Sequence, residues 1–293
     1  MPPDASTLTY VYAAAFLTQP LREALTELHG VYGAPLHTLT AAPGTAPGAT
    51  GPPLAFVAGR VPAADFNERA LKAHFEDLQW LEAVARAHHD VVQALATRAT
   101  VLPLRMATLY QDDDRARQAL LQQHASFTAR LAQLDAHKEF GVKLYLAPLA
   151  GPSAPGQDTG GQDTGGQGAA SATPGKTYLR RRRAEHQAVE ARYGQARRAA
   201  GELEAIAARY ATHRVRHAVQ SGALTGPAEN VLNDAYLVPD EDAERFRAAV
   251  EQAAEAFDGL RVEVTGPWAP YSFAAPPPEQ EPYDAFGPEG RRP

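Results

Sequence analysis

The chain has 293 residues, with 28 basic and 34 acidic side chains, a formal net charge of -6 and no cysteine. Without cysteine there are no disulfides, thiolate metal sites or cysteine nucleophiles, a composition typical of a cytoplasmic protein. The net acidity disfavours general nucleic-acid binding, which needs a basic face. No apolar run approaches about 18 residues and no secretory signal pattern opens the sequence, so neither a membrane span nor export is expected.

Strands and helices alternate in the first half of the chain. Residues that favour extended backbone predict strands over 8–16, 34–40, 54–61, 100–110 and 140–147. Helices are predicted over 20–29, over 67–98, where apolar residues recur at steps of three and four, and from Asp112, with a break, to about 136. This alternation, with too few strands for a barrel, indicates an α+β fold of ferredoxin-like layers with additions.

A low-complexity segment follows the last of these strands. Residues 149–175 contain Gly-Gln-Asp-Thr-Gly twice, and no large apolar residue stands between Leu149 and Tyr178. Such a segment cannot bury enough surface to offset the entropy of ordering it, so it is predicted to be a disordered linker. The Pro- and Glu-rich residues 275–293 are predicted to be a loose tail.

The second half begins with a long predicted helix over 176–220. Its apolar residues alternate steps of four and three from Val189 to Tyr210, which indicates a weak, alanine-rich seam like that of a coiled coil. The remaining predicted elements are a strand over 230–238, a helix from Asp240 to about 257 and a strand over 260–265.

Two polar segments suggest ligand sites, but a structural role is favoured for each. Asp112 to Asp114 could bind a hard cation, yet acidic residues at a helix start also cap free amides and complement the helix dipole. Gly175-Lys176-Thr177 resembles the end of a phosphate-binding loop. That loop needs an earlier glycine where this chain has Ala170, and it needs an apolar strand upstream.

A structural role is also favoured for the clustered histidines and arginines. His213 and His217 have the spacing of helical zinc ligands, but arginines flank them and no further ligand is apparent. His88 and His89 are adjacent and point to different helix faces. The run 180–183 of four arginines could contact nucleic acid. Consecutive helical residues splay about 100° apart, however, so a solvated helix end is favoured.

Five segments, in order along the chain, carry a family resemblance. They are Tyr10–Ala13, Leu81–Leu95, Val101-Leu102-Pro103-Leu104-Arg105-Met106-Ala107-Thr108, Gly141–Tyr145 and Gly266-Pro267-Trp268-Ala269-Pro270-Tyr271-Ser272-Phe273. In these segments, and most specifically in the last, the chain resembles the GvpL/GvpF family of gas vesicle proteins. It departs from the family pattern at Met106-Ala107, where an aromatic-glycine pair is usual, and at Ala269, where proline is common.

The resemblance implies two α+β domains, 1–148 and 176–274, the second with a long helical or coiled-coil-like element. It implies a non-enzymatic accessory or minor structural protein of gas vesicle assembly, in the cytoplasm and at the vesicle. The expected partners are the small, very apolar shell protein GvpA and other accessory proteins. No cofactor, metal, nucleic acid, membrane or small-molecule substrate is expected. The structural signature of the family maps to Pro103, Leu104, Arg105, Gly266, Pro267, Trp268, Pro270 and Tyr271.

Physical roles can be predicted for three signature residues. Arg105 stands in an apolar segment, so it is expected to be buried and paired with a carboxylate or several carbonyls, a fold-locking ion pair being favoured over direct contact with a partner protein. Trp268 and Tyr271, between prolines, are expected to plug the core, with partner contact as the alternative. The helix over 176–220 is the first candidate for the partner-binding surface.

Two other functions stay open from the sequence alone. A small-molecule enzyme on a ferredoxin-like scaffold would need a deep pocket with converging polar groups and perturbed acids or histidines. A nucleic-acid-binding regulator would use the arginine run 180–183 and bind in a salt-sensitive way.

Overall fold

The computed structural model describes residues 6–40, 52–74, 76–147, 174–220 and 228–274, and within the helix that begins at Pro174 it omits the side chains of 174–179, 181 and 185. The loop predicted at 41–53, the linker at 149–175 and the tail at 275–293 therefore lie wholly or almost wholly outside the described residues. The chain divides into two compact units, Met1–Glu139 with Pro267–Pro293, and Phe140–Gly266. These limits differ from the predicted 148 and 274.

The first unit is built on one antiparallel sheet. Its strands are β1 (Thr7–Phe16), β2 (Leu36–Thr40), β3 (Leu54–Pro62), β4 (Val101–Pro103) and β5 (Leu109–Tyr110). The order across the sheet is β2-β3-β1-β4, with β5 also paired to β1. The central β1 is buried along nearly its whole length, as its run of Tyr, Val and Ala predicts.

Six helices of the first unit are described: α1 (Gln19–Glu27), α2 (Ala63–Phe66), α3 (Glu68–His74), α4 (Leu78–Ala96), α5 (Asp113–Gln122) and α6 (His124–Leu134). The single helix predicted over 67–98 is wrong, because Asp77 starts a new one. Its carboxylate accepts hydrogen bonds from the amides of Gln79 and Trp80, as an N-cap does. The break predicted between 112 and 136 is confirmed, at Gln123.

The second unit has its own four-stranded sheet. Its elements are β6 (His137–Leu146), α7 (Pro174–Ala207), β7 (His213–Arg216), β8 (Glu229–Pro239), α8 (Ala243–Ala254) and β9 (Leu260–Trp268), with strand order β7-β8-β6-β9. The helix predicted to reach 220 ends at Ala207, and 213–216 form a strand instead. Val215 and its neighbours pair in register with β8, so tertiary pairing overrides local helix preference.

Both units follow the same topology, strand-helix-strand-strand-helix-strand. Numbered within each unit, the four main strands lie in the order second, third, first, fourth, which is the ferredoxin-like arrangement. The predicted α+β fold with ferredoxin-like layers is confirmed. The additions in the first unit are β5, α5 and α6.

Each unit has a separate apolar core. In the first, Tyr10, Tyr12 and Val57 of the sheet lie against Val92 and Leu95 of α4. The core of the second unit includes the strand residues Phe140 and Tyr236, Phe246 of α8, and Ala199, Leu203 and Ala207 of α7. The C-terminal half of the seam predicted on α7 is therefore buried within its own unit, and a coiled coil stays a prediction.

Candidate functional site

Four of the signature residues meet around one pocket in the first unit. Pro103 ends β4, and the amide of Leu104 donates to the carbonyl oxygen of Tyr12 at 2.9 Å. Pro103, Leu104 and Arg105 line a pocket of about 340 Å³ together with Tyr271. We call this the signature pocket.

Two polar side chains far away in sequence hold the closing segment. The amide group of Gln93 accepts from the amide of Ala269 at 2.9 Å and donates to the carbonyl of Pro267 at 3.2 Å. The buried Glu139 carboxylate accepts from the amide of Ser272 at 2.8 Å and from its hydroxyl at 2.7 Å. Sequence reasoning missed Gln93 and Glu139, although each is a polar residue beside apolar neighbours.

Replacing Ser272 by alanine is expected to lower the free energy of unfolding by about 1.5 kcal/mol, because a buried carboxylate loses one of its donors. Burial raises the pKa of Glu139, and the two hydrogen bonds from Ser272 offset this rise in part. These two hydrogen bonds therefore stabilise the charged form of the buried carboxylate. Urea unfolding measures the change. Thr97→Ala, which removes an exposed hydroxyl bonded to the Ala94 carbonyl, is the control, with a loss below about 0.5 kcal/mol. Equal losses in the two variants would contradict the role of Ser272.

Two predictions about the signature side chains are wrong. Arg105 is exposed, because β4 stops at Pro103 and Arg105 lies in the following turn, where its carbonyl accepts from the amide and hydroxyl of Thr108. Among the residues the structure describes, it makes no ion pair. Trp268 is 40% exposed and lies edge-on to His89 with ring centroids 5.6 Å apart. Ala269, Pro270 and Phe273 are the buried residues of the closing segment.

A buried polar network lies behind the signature pocket. The amide of Ala107 donates to the hydroxyl oxygen of Tyr10 at 3.0 Å, and that hydroxyl lies 3.0 Å from Nδ1 of His88. The other ring nitrogen, Nε2, lies 3.1 Å from the carbonyl oxygen of Leu104, so it carries the proton and donates. Tyr10 then donates to Nδ1, and the neutral imidazole is fully satisfied. Burial lowers the pKa of His88 to about 4.

Ala107 adopts a left-handed backbone, with φ of 61°. This conformation favours glycine, the residue usual at this position in the family pattern, and alanine holds it here at a steric cost of about 1 kcal/mol.

A cluster of rings lies at the surface of the first unit, where Tyr32 is exposed and His74 and Trp80 are half-buried. Nε1 of Trp80 donates to the hydroxyl of Tyr32 at 2.8 Å, and the His74 ring stacks on Trp80 with centroids 4.5 Å apart and planes 8° apart. Leu78, two residues before Trp80 in the first turn of α4, is 79% exposed, and Tyr32 is 52% exposed. We call Tyr32, His74, Leu78 and Trp80 the aromatic patch.

The acidic run before α5 has structural roles. Asp112 caps the helix by accepting from the amide of Arg115, as predicted. Asp113 accepts from the hydroxyl of Thr9 and from the guanidinium of Arg60, both at 2.7 Å, and lies 3.4 Å from the imidazole of His37. Burial alone would raise the pKa of Asp113, but these partners outweigh it and the pKa lies below its ordinary value.

A charged cluster in the second unit joins α7 to β7 and β8. The Asp234 carboxylate is fully buried and lies 3.2 Å from Nε of Arg216. Glu204 of α7 pairs with both Arg214 and Arg216. The two arginines on one edge strand thus tie the helix to the sheet.

The remaining candidates from the sequence do not form sites of the expected kind. The interpretation of His213 and His217 as helical zinc ligands is wrong, because His213 lies in β7, and the described part of the chain holds no group of three or more histidine or acidic side chains suited to a metal. Gly175 to Thr177 belong to α7 rather than to a loop after a strand. Arg180, Arg182 and Arg183 are exposed on that helix.

No helix within the described ranges is both long and apolar enough to span a membrane.

The two ferredoxin-like units and the closing Gly-Pro-Trp-Ala-Pro-Tyr-Ser-Phe segment define an α+β protein of the gas vesicle class. The family described as "Gas vesicle synthesis protein GvpL/GvpF" matches residues 8–275. Gas vesicle protein L of Streptomyces sp. (strain CB03234) is 40% identical over 269 residues, which cover 91% of this chain and 92% of that protein. The chain therefore belongs to the GvpL/GvpF family, as the resemblance indicated.

Solved structures show the same fold. GvpF from Anabaena sp. PCC7120 aligns with a TM-score of 0.57 at 18% identity and covers 93% of this chain and 98% of its own. GvpF from Microcystis aeruginosa aligns with a TM-score of 0.56 at 17% identity and covers 92% and 99%. Membership of the family supports a role in gas vesicle assembly.

Proposed function

We propose that this chain is a non-enzymatic assembly protein that binds the apolar gas vesicle shell protein GvpA in the cytoplasm, through the aromatic patch. Family membership supports the assembly role. The observation that carries the binding role is the patch itself, in which the rings of Tyr32, His74 and Trp80 contact one another and Leu78 lies exposed at the start of the helix that carries Trp80. Single exposed apolar residues are ordinary, whereas grouped ones mark contact surfaces.

Burial of the patch would contribute favourable free energy to such binding. Leu78 is 79% exposed, and fully burying a leucine side chain contributes about 1.5–3 kcal/mol. Tyr32 and Trp80 belong to the residue types most common at the energetic centres of interfaces. An apolar shell subunit would cover them and be kept from aggregating while bound.

The patch is also held in a fixed shape. Tyr32 has a left-handed backbone, with φ of 59°, and its ring lies edge-on to the buried Phe66 at 5.5 Å. Phe66 in turn contacts Trp80 at 5.4 Å. A strained residue persists only where its surroundings hold it, and a fixed surface loses little entropy on binding.

Replacing Leu78 by glutamate is expected to reduce the shell protein that co-purifies with the chain by about tenfold or more, because a charge replaces the most exposed apolar side chain of the patch. The full chain, carrying an affinity tag, is expressed with the shell protein and the bound amount is measured. Leu78 contributes little to the core, so the thermal midpoint should stay within a few degrees of the wild type.

Val219→Glu is the matched control, since Val219 is an apolar residue 55% exposed in the second unit. This variant should bind like the wild type. Equal retention of the shell protein by both variants would show that the patch is not the contact. A wild-type chain that retains none would overturn the proposed function.

A further inference from the structure

The signature pocket has an apolar, aromatic wall. Three rings, those of Tyr110, Phe127 and Tyr271, line it together with Pro103 and Leu104. Its volume of about 340 Å³ lies at the small end of the range for ligand sites, which begins near 300 Å³. It holds a few side chains rather than a large cofactor. Grooves lined by aromatic rings are the sites that bind extended proline-rich segments.

Two donor side chains that line the pocket have no acceptor among the described residues. The Tyr271 hydroxyl is buried and has no hydrogen-bond partner in the described structure. Arg105 at the rim is exposed and forms no ion pair with any described residue.

These donors define the chemistry of the ligand. A buried hydroxyl and the exposed guanidinium of Arg105 require carbonyl and carboxylate acceptors. A proline-rich segment presents backbone carbonyls and has no amide hydrogen on its prolines, so it supplies acceptors without adding unsatisfied donors. Acidic residues next to the prolines would pair with Arg105.

One segment of this chain has that composition and starts at the pocket. Ala274 lines the pocket, and the sequence continues as Ala275-Pro276-Pro277-Pro278-Glu279-Gln280-Glu281. We propose that residues 276–281 bind in the signature pocket of the same molecule, with the prolines against the rings and the glutamates beside Arg105. A short connection gives the segment an effective concentration in the millimolar range, so modest contacts suffice. This binding does not depend on the proposed role of the aromatic patch.

A cysteine pair tests the proposal, because the natural chain has no cysteine. In the full-length chain Gln123→Cys marks the pocket, where Gln123 is exposed, and Gln280→Cys marks the tail. A disulfide requires Cα atoms within about 7 Å, so its formation reports close approach. Under mild oxidation this pair should form an intramolecular cross-link at least about tenfold faster than a control pair with Glu23→Cys on α1.

Two further variants separate the chemistry from mere proximity. Replacing Pro276, Pro277 and Pro278 by Ser-Gly-Ser should reduce the cross-linking rate several-fold, because the stiff segment is lost. Arg105→Glu should also reduce it, and Glu279→Arg in the same chain should restore it.

Three outcomes would overturn the proposal. The first is equal cross-linking to residues 123 and 23. The second is cross-linking that the proline and charge variants leave unchanged. The third is cross-linking only between molecules, with a rate that rises with protein concentration, which would assign the pocket to the tail of a second copy.

Discussion

Replacing Gly30 by alanine is expected to lower the free energy of unfolding by about 3 kcal/mol, because the new methyl group has no room. A Cβ at this position would overlap the hydroxyl oxygen of Tyr12 and lie 2.9 Å from its Cζ and 3.0 Å from Cδ2 of Leu36. Tyr12 cannot move aside easily. Its side chain is fully buried, and its hydroxyl accepts from the amide of Val31 at 2.8 Å.

The cause is steric rather than conformational. The backbone of Gly30, with φ of -87°, is open to any residue. Gly59 is the matched control, because a Cβ there would meet the same Tyr12 ring at 3.5 Å, an ordinary contact distance. Gly59→Ala should therefore change stability by less than about 1 kcal/mol. Urea unfolding of both variants measures the difference, and equal losses would show that contact with Tyr12 is not the cause.

The elements that sequence predicts best are those whose apolar pattern coincides with the core. The first strand is an example, because its tyrosines, valine and alanines are buried as a continuous run. The prediction of a single helix over 67–98 is wrong because the apolar spacing continues across the break between two helices. That break depends on the Asp77 side chain bonding two amides, a local contact that periodicity does not reveal.

Long-range contacts explain the other differences. No glycine or proline marks the change from α7 to β7, and the strand forms because its residues pair with β8. The side chains that hold the closing segment determine which of its residues are buried, and Trp268 is left exposed. Gln93 and Glu139 bind its backbone from 176 and 133 residues away. The sequence identifies the signature residues, but only these partners determine which of them are buried.

Between about pH 6.5 and pH 4 the chain is expected to lose about 3 kcal/mol of stability through His88 alone. Burial, opposed by the hydrogen bond to the Leu104 carbonyl and helped by the nearby His89, lowers the pKa of His88 from 6.5 to about 4. In this interval the unfolded chain binds a proton at His88 that the folded chain does not, so the free energy of unfolding falls as the pH falls. The full contribution is present above pH 6.5 and is lost below pH 4.

The buried network explains why the folded state resists the proton. Nδ1 of His88 accepts from Tyr10, whose hydroxyl already accepts from the amide of Ala107. A proton on Nδ1 would leave the Tyr10 O–H without its acceptor. The new charge would lie among the rings of Tyr10, Tyr12 and Tyr271, and no acidic side chain of the described residues acts on it. The folded state cannot accommodate protonated His88 by rearranging its hydrogen bonds, so protonation favours the unfolded state.

Unfolding free energies of the wild type and His88→Gln, measured in urea at steps from pH 7 to pH 4, isolate this contribution. The variant lacks the titrating ring, so its stability should fall less than that of the wild type by about 3 kcal/mol over the interval. Thr97→Ala, which removes no titrating group, should keep the wild-type slope. Parallel curves for the wild type and His88→Gln would contradict the assignment. The comparison depends on slopes alone, because losing the Tyr10 and Leu104 hydrogen bonds lowers the stability of His88→Gln at every pH.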